Sequence, residues 1–321
     1  MRNKMKAMVI YEPGGPEKFV LEERAIPSVK EGWTLVKIKG FGINHSEIFT
    51  RKGLSPTVQF PRILGIECVG QVVETTRRDL QEGQKIVSIM GEMGRAYDGS
   101  YAEYVLLPNE QIYPVDSQLS WAELAAIPET YYTAFGSFKN MQIKEGDSIL
   151  VRAATSGVGL AFLKLVKAQF PQNRVVGAVR SLAKKDLLQQ QGFDEIILDE
   201  RGVLQAEEKF DKILELVGPA TLKNSFDHIQ SAGIICNTGQ LGGKWYVEEF
   251  DPIVEIKNNS FFTSFYSGNV SQQLIDELFS YIDTYQINVS PQRIFSLEQI
   301  PAAHSYIESQ AGFGKVVVLN D

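Results

Sequence analysis

Ser148-Ile-Leu-Val-Arg-Ala-Ala-Thr-Ser-Gly-Val-Gly-Leu-Ala-Phe-Leu-Lys-Leu-Val-Lys, residues 148–167, carries the strongest structural signal in the chain. An apolar run of strand length, Ser148–Ala153, enters a turn of small residues. A helical pattern of apolar residues, Gly157–Phe170, follows it up to Pro171. A strand feeding a helix through such a turn presents unpaired backbone N–H groups and the positive end of the helix dipole, a setting suited to a diphosphate. Small side chains let a dinucleotide approach the backbone and let the helix pack close to its strand. Against the pattern G-x-G-x-x-G, the glycine positions hold Ala154, Ser156 and Gly159, with Gly157 between them. Ala154, Thr155, Ser156, Gly157, Val158 and Gly159 are therefore the expected cofactor-binding turn. A tight turn without a ligand is the plainer alternative, but strand, turn, helix and next strand arrive at the spacing of a dinucleotide fold.

The next strand, Arg174–Val179, discriminates between dinucleotides. An NAD site calls for Asp or Glu at the end of this strand, to accept from the ribose 2′-hydroxyl. Here the sequence runs Val176-Gly-Ala-Val-Arg-Ser-Leu-Ala-Lys-Lys, and the first acid is Asp186. Arg180 offers a planar fork to a phosphate, Ser181 a hydroxyl, and Lys184 or Lys185 further charge. Cations at the start of a helix oppose its dipole unless an anion meets them. The expected cofactor is NADPH rather than NADH.

Beyond this strand, Leu182–Gln191 reads as a helix stopped by Gly192. Glu195–Leu198, Lys212–Leu216 and Gly233–Thr238 read as short apolar strands, and Ser271–Thr284 as an amphipathic helix. Strands alternating with helices predict a parallel sheet covered on both faces. Gly239, just past one strand, lies at a carboxyl end, where such sheets bind ligand. Before about Ser120 the rhythm differs. Lys6–Tyr11, Thr34–Gly40, Glu67–Val73, Lys85–Met90 and Tyr101–Leu107 are short β-rich runs between Gly and Pro turns, which predicts a mostly antiparallel, barrel-like β domain. Ser120, with Glu123 three positions on, predicts a capped helix over Trp121–Ala126. The run Gly314–Leu319 is a strand that can return to the first domain.

Composition narrows the class of protein. The 321 residues are 44% hydrophobic and 22% charged, enough apolar material for cores in one large or two ordinary domains. Two cysteines, Cys68 and Cys236, are too few for a disulfide framework or a four-thiolate zinc site, and they read as reduced core residues. The net charge of −7 argues against a nucleic-acid partner. The apolar stretch Ala7–Ile10 is too short for a signal-peptide core, and no apolar run is long enough to span a membrane. A cytoplasmic location, with no membrane partner, is expected.

The chain resembles the medium-chain dehydrogenase/reductase superfamily, in its zinc-free quinone oxidoreductase (ζ-crystallin-like) branch, over almost its whole length. The carrying residues occur in order: Gly14-Gly-Pro, Gly42-Ile-Asn-His-Ser-Glu, Leu64-Gly-Ile-Glu-Cys-Val-Gly and Asp98-Gly-Ser-Tyr-Ala-Glu-Tyr. After them come Ala125-Ala-Ile-Pro-Glu-Thr-Tyr-Tyr-Thr-Ala, the glycine turn, Glu215-Leu-Val-Gly and Phe313-Gly-Lys-Val-Val-Val. The resemblance implies an α/β protein, a GroES-like β-barrel catalytic domain plus a Rossmann doubly wound parallel-sheet domain. Residues 1–122 with 263–321 are expected to form the discontinuous catalytic domain, and 123–262 the NADPH-binding domain. It also implies a homodimer formed by edge pairing of the Rossmann sheets.

Positions matched to the zinc ligands of other members hold Asn44, Ile66 and, approximately, Glu129, so no catalytic metal is expected. The activity implied is NADPH-dependent, zinc-independent hydride transfer to a small-molecule quinone or α,β-unsaturated carbonyl. Such acceptors need orientation and a donor for the developing oxyanion. The resemblance places Asn44 near the nicotinamide ribose and the substrate carbonyl, Thr133 along the nicotinamide, and Lys315 at the cofactor phosphates. Phe265 and Tyr266 are candidate walls of the cofactor or substrate pocket. Phe49 stands where many members carry a tyrosine, so proton delivery falls to Tyr131, Tyr132, Tyr97, His45 or solvent. Two alternatives stay open: a reductase of enoyl-thioester double bonds, and an NADPH-binding sensor or structural protein with little turnover.

Overall fold

Eleven residues, Trp33–Ile43, make the longest strand of the first half, and its end leads directly to Asn44. In a computed structural model, which describes residues 3–309 and 311–320, the chain divides into two units. The first comprises Met1–Tyr132, Ser267–Ser280 and Val289–Asp321; the second comprises Thr133–Tyr266 and Tyr281–Asn288.

In the first unit, Trp33–Ile43 pairs antiparallel with Glu67–Thr75, Tyr104–Pro108 and Val316–Leu319. Its pairing with Glu67–Thr75 shifts register twice, between Leu35 and Val36 and between Ile38 and Gly40. Such bulges bend and twist a strand, which lets the sheet curl toward a barrel. The sheet continues through Lys85–Ile89 to Tyr113–Pro114 on one side and Arg293–Ser296 on the other. A second sheet joins Phe19–Ala25, Lys4–Ile10 and Arg62–Ile63. Val36, Ile38, Phe41, Cys68, Ile86 and Tyr101 are fully buried in the common core. Val316–Leu319 lies opposite Ile43 to Gly40, so Lys315, the residue before it, arrives beside Asn44.

The second unit is built on six parallel strands, with the short Val203–Leu204 antiparallel at one edge. Their spatial order is Glu195–Glu200, Val175–Val179, Ile149–Arg152, Phe210–Glu215, Ile229–Asn237, Phe261–Ser264. In chain order that is 3-2-1-4-5-6, the doubly wound dinucleotide-binding topology. The order reverses between Ile149–Arg152 and Phe210–Glu215, and ligands bind at the carboxyl ends of strands at such a switch point. The GroES-like and Rossmann architecture expected from sequence is the one present.

Several elements differ from expectation. Leu182–Gln191 is not one helix: Ser181 Oγ accepts from the Ala183 amide at 3.3 Å, tightening Leu182–Lys184 into a 3₁₀ turn before the helix Lys185–Gln191. Gly192, at φ 115°, then ends it in the left-handed region. The helix Pro128–Asn140 has no counterpart in the sequence reading, although Pro at its first position suits a helix start. The strands Phe19–Ala25 and Phe261–Ser264 were also not expected. The predicted capping box is present: Ser120 Oγ accepts from the Glu123 amide, and Glu123 accepts from the Ser120 amide.

Candidate active site

The turn after Ile149–Arg152 is held by its own small residues. Ala153 has φ 61°, a left-handed conformation at a residue with a Cβ. Ala154 is fully buried, and a Cβ added at Gly177 on the neighbouring strand would lie 2.8 Å from the Ala154 methyl. Ser156 caps the helix Gly157–Gln169, its Oγ accepting from the Gly159 amide at 3.1 Å. A Cβ at Gly159 would come within 3.0 Å of the Ala153 carbonyl oxygen. The first amides of a helix have no partner inside it, which leaves Gly157 and Val158 N–H to meet an anion at this end. Thr155 completes the turn.

Arg180 follows the strand Val175–Val179 directly and is exposed, as is Ser181. Lys184 is partly buried, and burial holds its ammonium below the ordinary lysine value. The residues between Val179 and Asp186 include no acid. At the switch point, the buried Glu215 carboxylate accepts from the Val217 and Gly218 amides at 2.8 and 3.0 Å and from Ser225 Oγ at 2.6 Å. Gly218, at φ 87°, then approaches Gly239 so closely that a Cβ would meet the Gly239 carbonyl at 2.4 Å. Gly239 itself sits against the Leu216 backbone. Thr133 is buried in the helix Pro128–Asn140, with its carbonyl accepting from Ser137 Oγ at 2.8 Å. Phe265 lies over Gly136, where any Cβ would overlap its ring.

Sequence reasoning missed Arg152. This arginine is fully buried and ion-paired to Asp199 at 2.6 Å. It also donates to Ser225 Oγ, Asn224 Oδ1 and the carbonyls of Thr221 and Gly202. An arginine inside an otherwise apolar strand was the available signal, since a buried guanidinium requires such a network.

In the first unit, Asn44 leads into the short helix His45–Arg51 and sits in a network of buried charge. Lys315 Nζ lies 2.6 Å from Glu67 Oε1 and 2.8 Å from Asn44 Oδ1. Asn44 Nδ2 in turn donates to Glu67 Oε1 at 2.9 Å, and Glu67 Oε2 accepts from the Glu129 amide at 2.7 Å. Glu129 Oε1 accepts from Ser267 Oγ at 2.7 Å. Glu47 is buried beside this group, accepting from the amides of Asn44 at 3.2 Å and Ile66 at 3.3 Å. Burial, reinforced by the Glu67 carboxylate, pushes the Glu47 carboxyl up to about 8. Two buried carboxyls thus face one ammonium, and Glu47 keeps its proton at neutral pH.

Gly42 makes the arrangement possible: a Cβ there would lie 2.2 Å from Lys315 Nζ and 2.3 Å from Glu67 Oε1. Neither Glu47 nor Gly42 was singled out from sequence. Lys315, expected at cofactor phosphates, makes its described polar contacts to Asn44 and Glu67. Among the described residues, no group of three or more His, Cys, Asp or Glu side chains is placed to hold a metal ion.

The candidate proton donors are dispersed. Tyr132 Oη donates to the Asn269 carbonyl and accepts from the Ser271 amide, both at 3.0 Å, so its hydroxyl is spent on a turn. Tyr131 is buried, and burial raises its phenol above the ordinary value. Tyr97 Oη donates to the Gly91 carbonyl at 2.6 Å. His45 is exposed and Phe49 half-buried. No described helix is long and apolar enough to cross a membrane.

Known proteins were compared with the chain. Residues 30–117 match the family model for the alcohol dehydrogenase GroES-like domain, and residues 191–318 match that for zinc-binding dehydrogenase. The chain is 23% identical over 331 aligned positions to a quinone oxidoreductase from Sus scrofa, covering 98% of each. It is 25% identical to the 2-methylene-furan-3-one reductase of Solanum lycopersicum, covering 98% of this chain and 79% of that protein. A mycobacterial structure complexed with NADPH superposes with a TM-score of 0.83 at 22% identity, over 98% of this chain and 100% of that one.

Proposed function

Because the chain belongs to the medium-chain dehydrogenase/reductase superfamily, we propose that it is an NADPH-dependent, zinc-independent reductase of quinones or α,β-unsaturated carbonyls. The observation that carries the reading is the locked amide of Asn44. Its Oδ1 is turned to the Lys315 ammonium and one Nδ2 hydrogen to Glu67, so the orientation of the amide is fixed and one N–H is left to donate. An amide restricted in this way donates to a carbonyl oxygen.

The residues present fit the cofactor. Ala154–Gly159 with the free helix amides would hold the diphosphate, Gly239 would allow close backbone approach, and Thr133 and Phe265 would flank the nicotinamide. Arg180, Ser181 and Lys184 would hold the 2′-phosphate, with no carboxylate beside them to repel it. NADPH, when bound, supplies a hydride. The chain's own task is to orient the acceptor and to receive the negative charge that gathers on its oxygen. Asn44 donates to that oxygen, and the Lys315 ammonium behind the amide favours the charge electrostatically. Glu67 keeps Lys315 in place. The carbon left basic takes its proton from solvent, since Phe49 has no hydroxyl and that of Tyr132 is engaged. The exposed edge strand Phe261–Ser264, with Phe261 60% accessible, is the surface we assign to a homodimer.

NADPH oxidation, followed at 340 nm against a panel of quinones and enones, tests the reading. Turnover is expected, with a loss of about a hundredfold in kcat for Asn44→Ala. Tight NADPH binding with no turnover by any acceptor would instead support a sensor. The relatives that reduce a quinone or a methylene-furanone support the acceptor class, and the neighbour solved with NADPH supports the cofactor.

A further inference from the structure

Arg95 is a cation without a counter-ion beside the proposed acceptor site. It lies in the loop Met90–Tyr97, where Met90, Gly91, Glu92 and Gly94 all have positive φ, between 57° and 73°. Four left-handed residues in a short loop fix its path closely. The Arg95 and Ala96 amides both donate to the Glu92 carbonyl at 3.0 Å, and the Tyr97 hydroxyl closes the loop onto Gly91.

Two anchors tie this loop to the segments that carry Glu67 and Asn44. Gly94 packs so tightly on Gly65 that a Cβ would meet the Gly65 carbonyl at 2.6 Å, and Gly65 is two residues before Glu67. Arg95 itself donates to Ser46 Oγ at 2.7 Å, and Ser46 is two residues after Asn44. The guanidinium is half-buried, and its Nε is a buried donor with no hydrogen-bond partner.

Its charge is equally unmatched. Arg24, Arg51, Arg62, Arg77, Arg152 and Arg174 each pair with a carboxylate. Among the described residues none lies within ion-pair distance of Arg95: Asp98 is engaged by Arg62, and Glu92, in the same loop, is exposed and apart. A half-buried cation with an unsatisfied donor sits poorly unless an anion joins it for part of its working cycle. The free edge of a guanidinium matches a carboxylate in bidentate geometry.

We infer that Arg95, held by Ser46, is an anion subsite, and that the acceptor is a conjugated carbonyl compound carrying a carboxylate at the far end of its reducible bond. This rests on the reductase reading and adds to it the class of substrate. Asn44 takes the carbonyl oxygen and Arg95 takes the carboxylate, so the two contacts together fix the orientation of the acceptor. Quinones and neutral enones satisfy only the first.

The test compares 4-oxopent-2-enoate with its methyl ester in NADPH oxidation, for the wild-type protein, Arg95→Gln and Arg95→Lys. The acid is expected to exceed the ester in kcat/KM by tenfold to a hundredfold, the scale of a charge-assisted hydrogen-bonded pair. Arg95→Gln should bring that ratio near one, and Arg95→Lys should leave it between. Equal use of acid and ester by the wild type, or an acid preference that survives Arg95→Gln, overturns the subsite.

Equilibrium binding of 4-oxopentanoate, which lacks the conjugated carbon–carbon double bond, measured without NADPH, provides a readout independent of turnover. It should bind the wild type at least tenfold more tightly than Arg95→Gln, with both proteins showing cooperative thermal unfolding. If no acceptor is reduced yet this difference appears, the reductase reading fails and the anion subsite stands. If acceptors are reduced and the difference is absent, the subsite fails and the reductase reading stands.

Discussion

The two candidate sites, one in each unit, are built by opposite means. The dinucleotide turn is continuous in sequence and offers its backbone: Ala154, Ser156 and Gly159 keep side chains out of the way, and the helix supplies amides. The proposed acceptor site is discontinuous and is built from side chains. Asn44, Glu67 and Lys315 come from different elements, and the three are hydrogen-bonded to one another. A backbone site tolerates drift in side-chain identity, as the replacement of two of the three fingerprint glycines illustrates. A network of buried charges tolerates almost none, because removing one member strands the rest.

That contrast is open to direct attack. The largest effect is expected from Gly42→Ala, which adds a methyl where Lys315 and Glu67 meet. Separating the pair should cost about 3–5 kcal/mol in denaturant unfolding and remove turnover. A stable, active Gly42→Ala protein would show that the network is looser than its distances imply. Next comes Arg180→Glu, which should weaken NADPH binding a hundredfold or more while changing NADH binding much less. Equal losses for the two cofactors would remove the 2′-phosphate assignment.

Glu47 gives a pH-dependent effect of intermediate size. Its native value of about 8 stands above the ordinary 4.5, so between those limits the folded chain holds a proton that the unfolded chain has lost. This contribution therefore lowers stability as pH rises through that window, and the loss is complete above about 8. Glu47→Gln cannot ionise but offers one acceptor fewer to the amides of Asn44 and Ile66. It should be less stable than wild type at pH 5 by about 1–3 kcal/mol, and the gap should close and then reverse as pH rises toward 8. A constant gap in thermal unfolding would show that Glu47 is not protonated in the native chain.

The smallest effect belongs to the backbone site. Ala153→Gly relieves a left-handed alanine and should stabilise the protein by about 0.5–1 kcal/mol. A destabilisation there would mean that the alanine methyl contributes packing worth more than the strain.

The contrast also explains what could be read from the chain and what could not. Ser148–Phe170 was legible because strand, turn and helix are local events with local sequence signals. Arg180 and Ser181 followed because their position is counted from that turn. The helix Pro128–Asn140 escaped notice because Gly136 interrupts its pattern, and Gly136 is required by the ring of Phe265, far along the chain. Glu47 and Glu67 stood in the motifs of the resemblance without a role of their own. Only the pairing of Val316–Leu319 with Trp33–Ile43 turns them into partners of a lysine. Ala153 was assigned to the strand, yet it is the left-handed residue of the turn.

The return of that late strand has a consequence for how the protein comes into being. Glu67 leaves the ribosome 248 residues ahead of the lysine that neutralises it. At ordinary elongation rates that is a wait of roughly 12–50 s. Throughout it, the nascent β domain lacks both an edge partner for Trp33–Ile43 and a counter-ion for its acids. The second unit, whose last segment ends at Asn288, has meanwhile emerged whole. Synthesis thus delivers every residue of the glycine-turn unit before the buried network of the first unit can close.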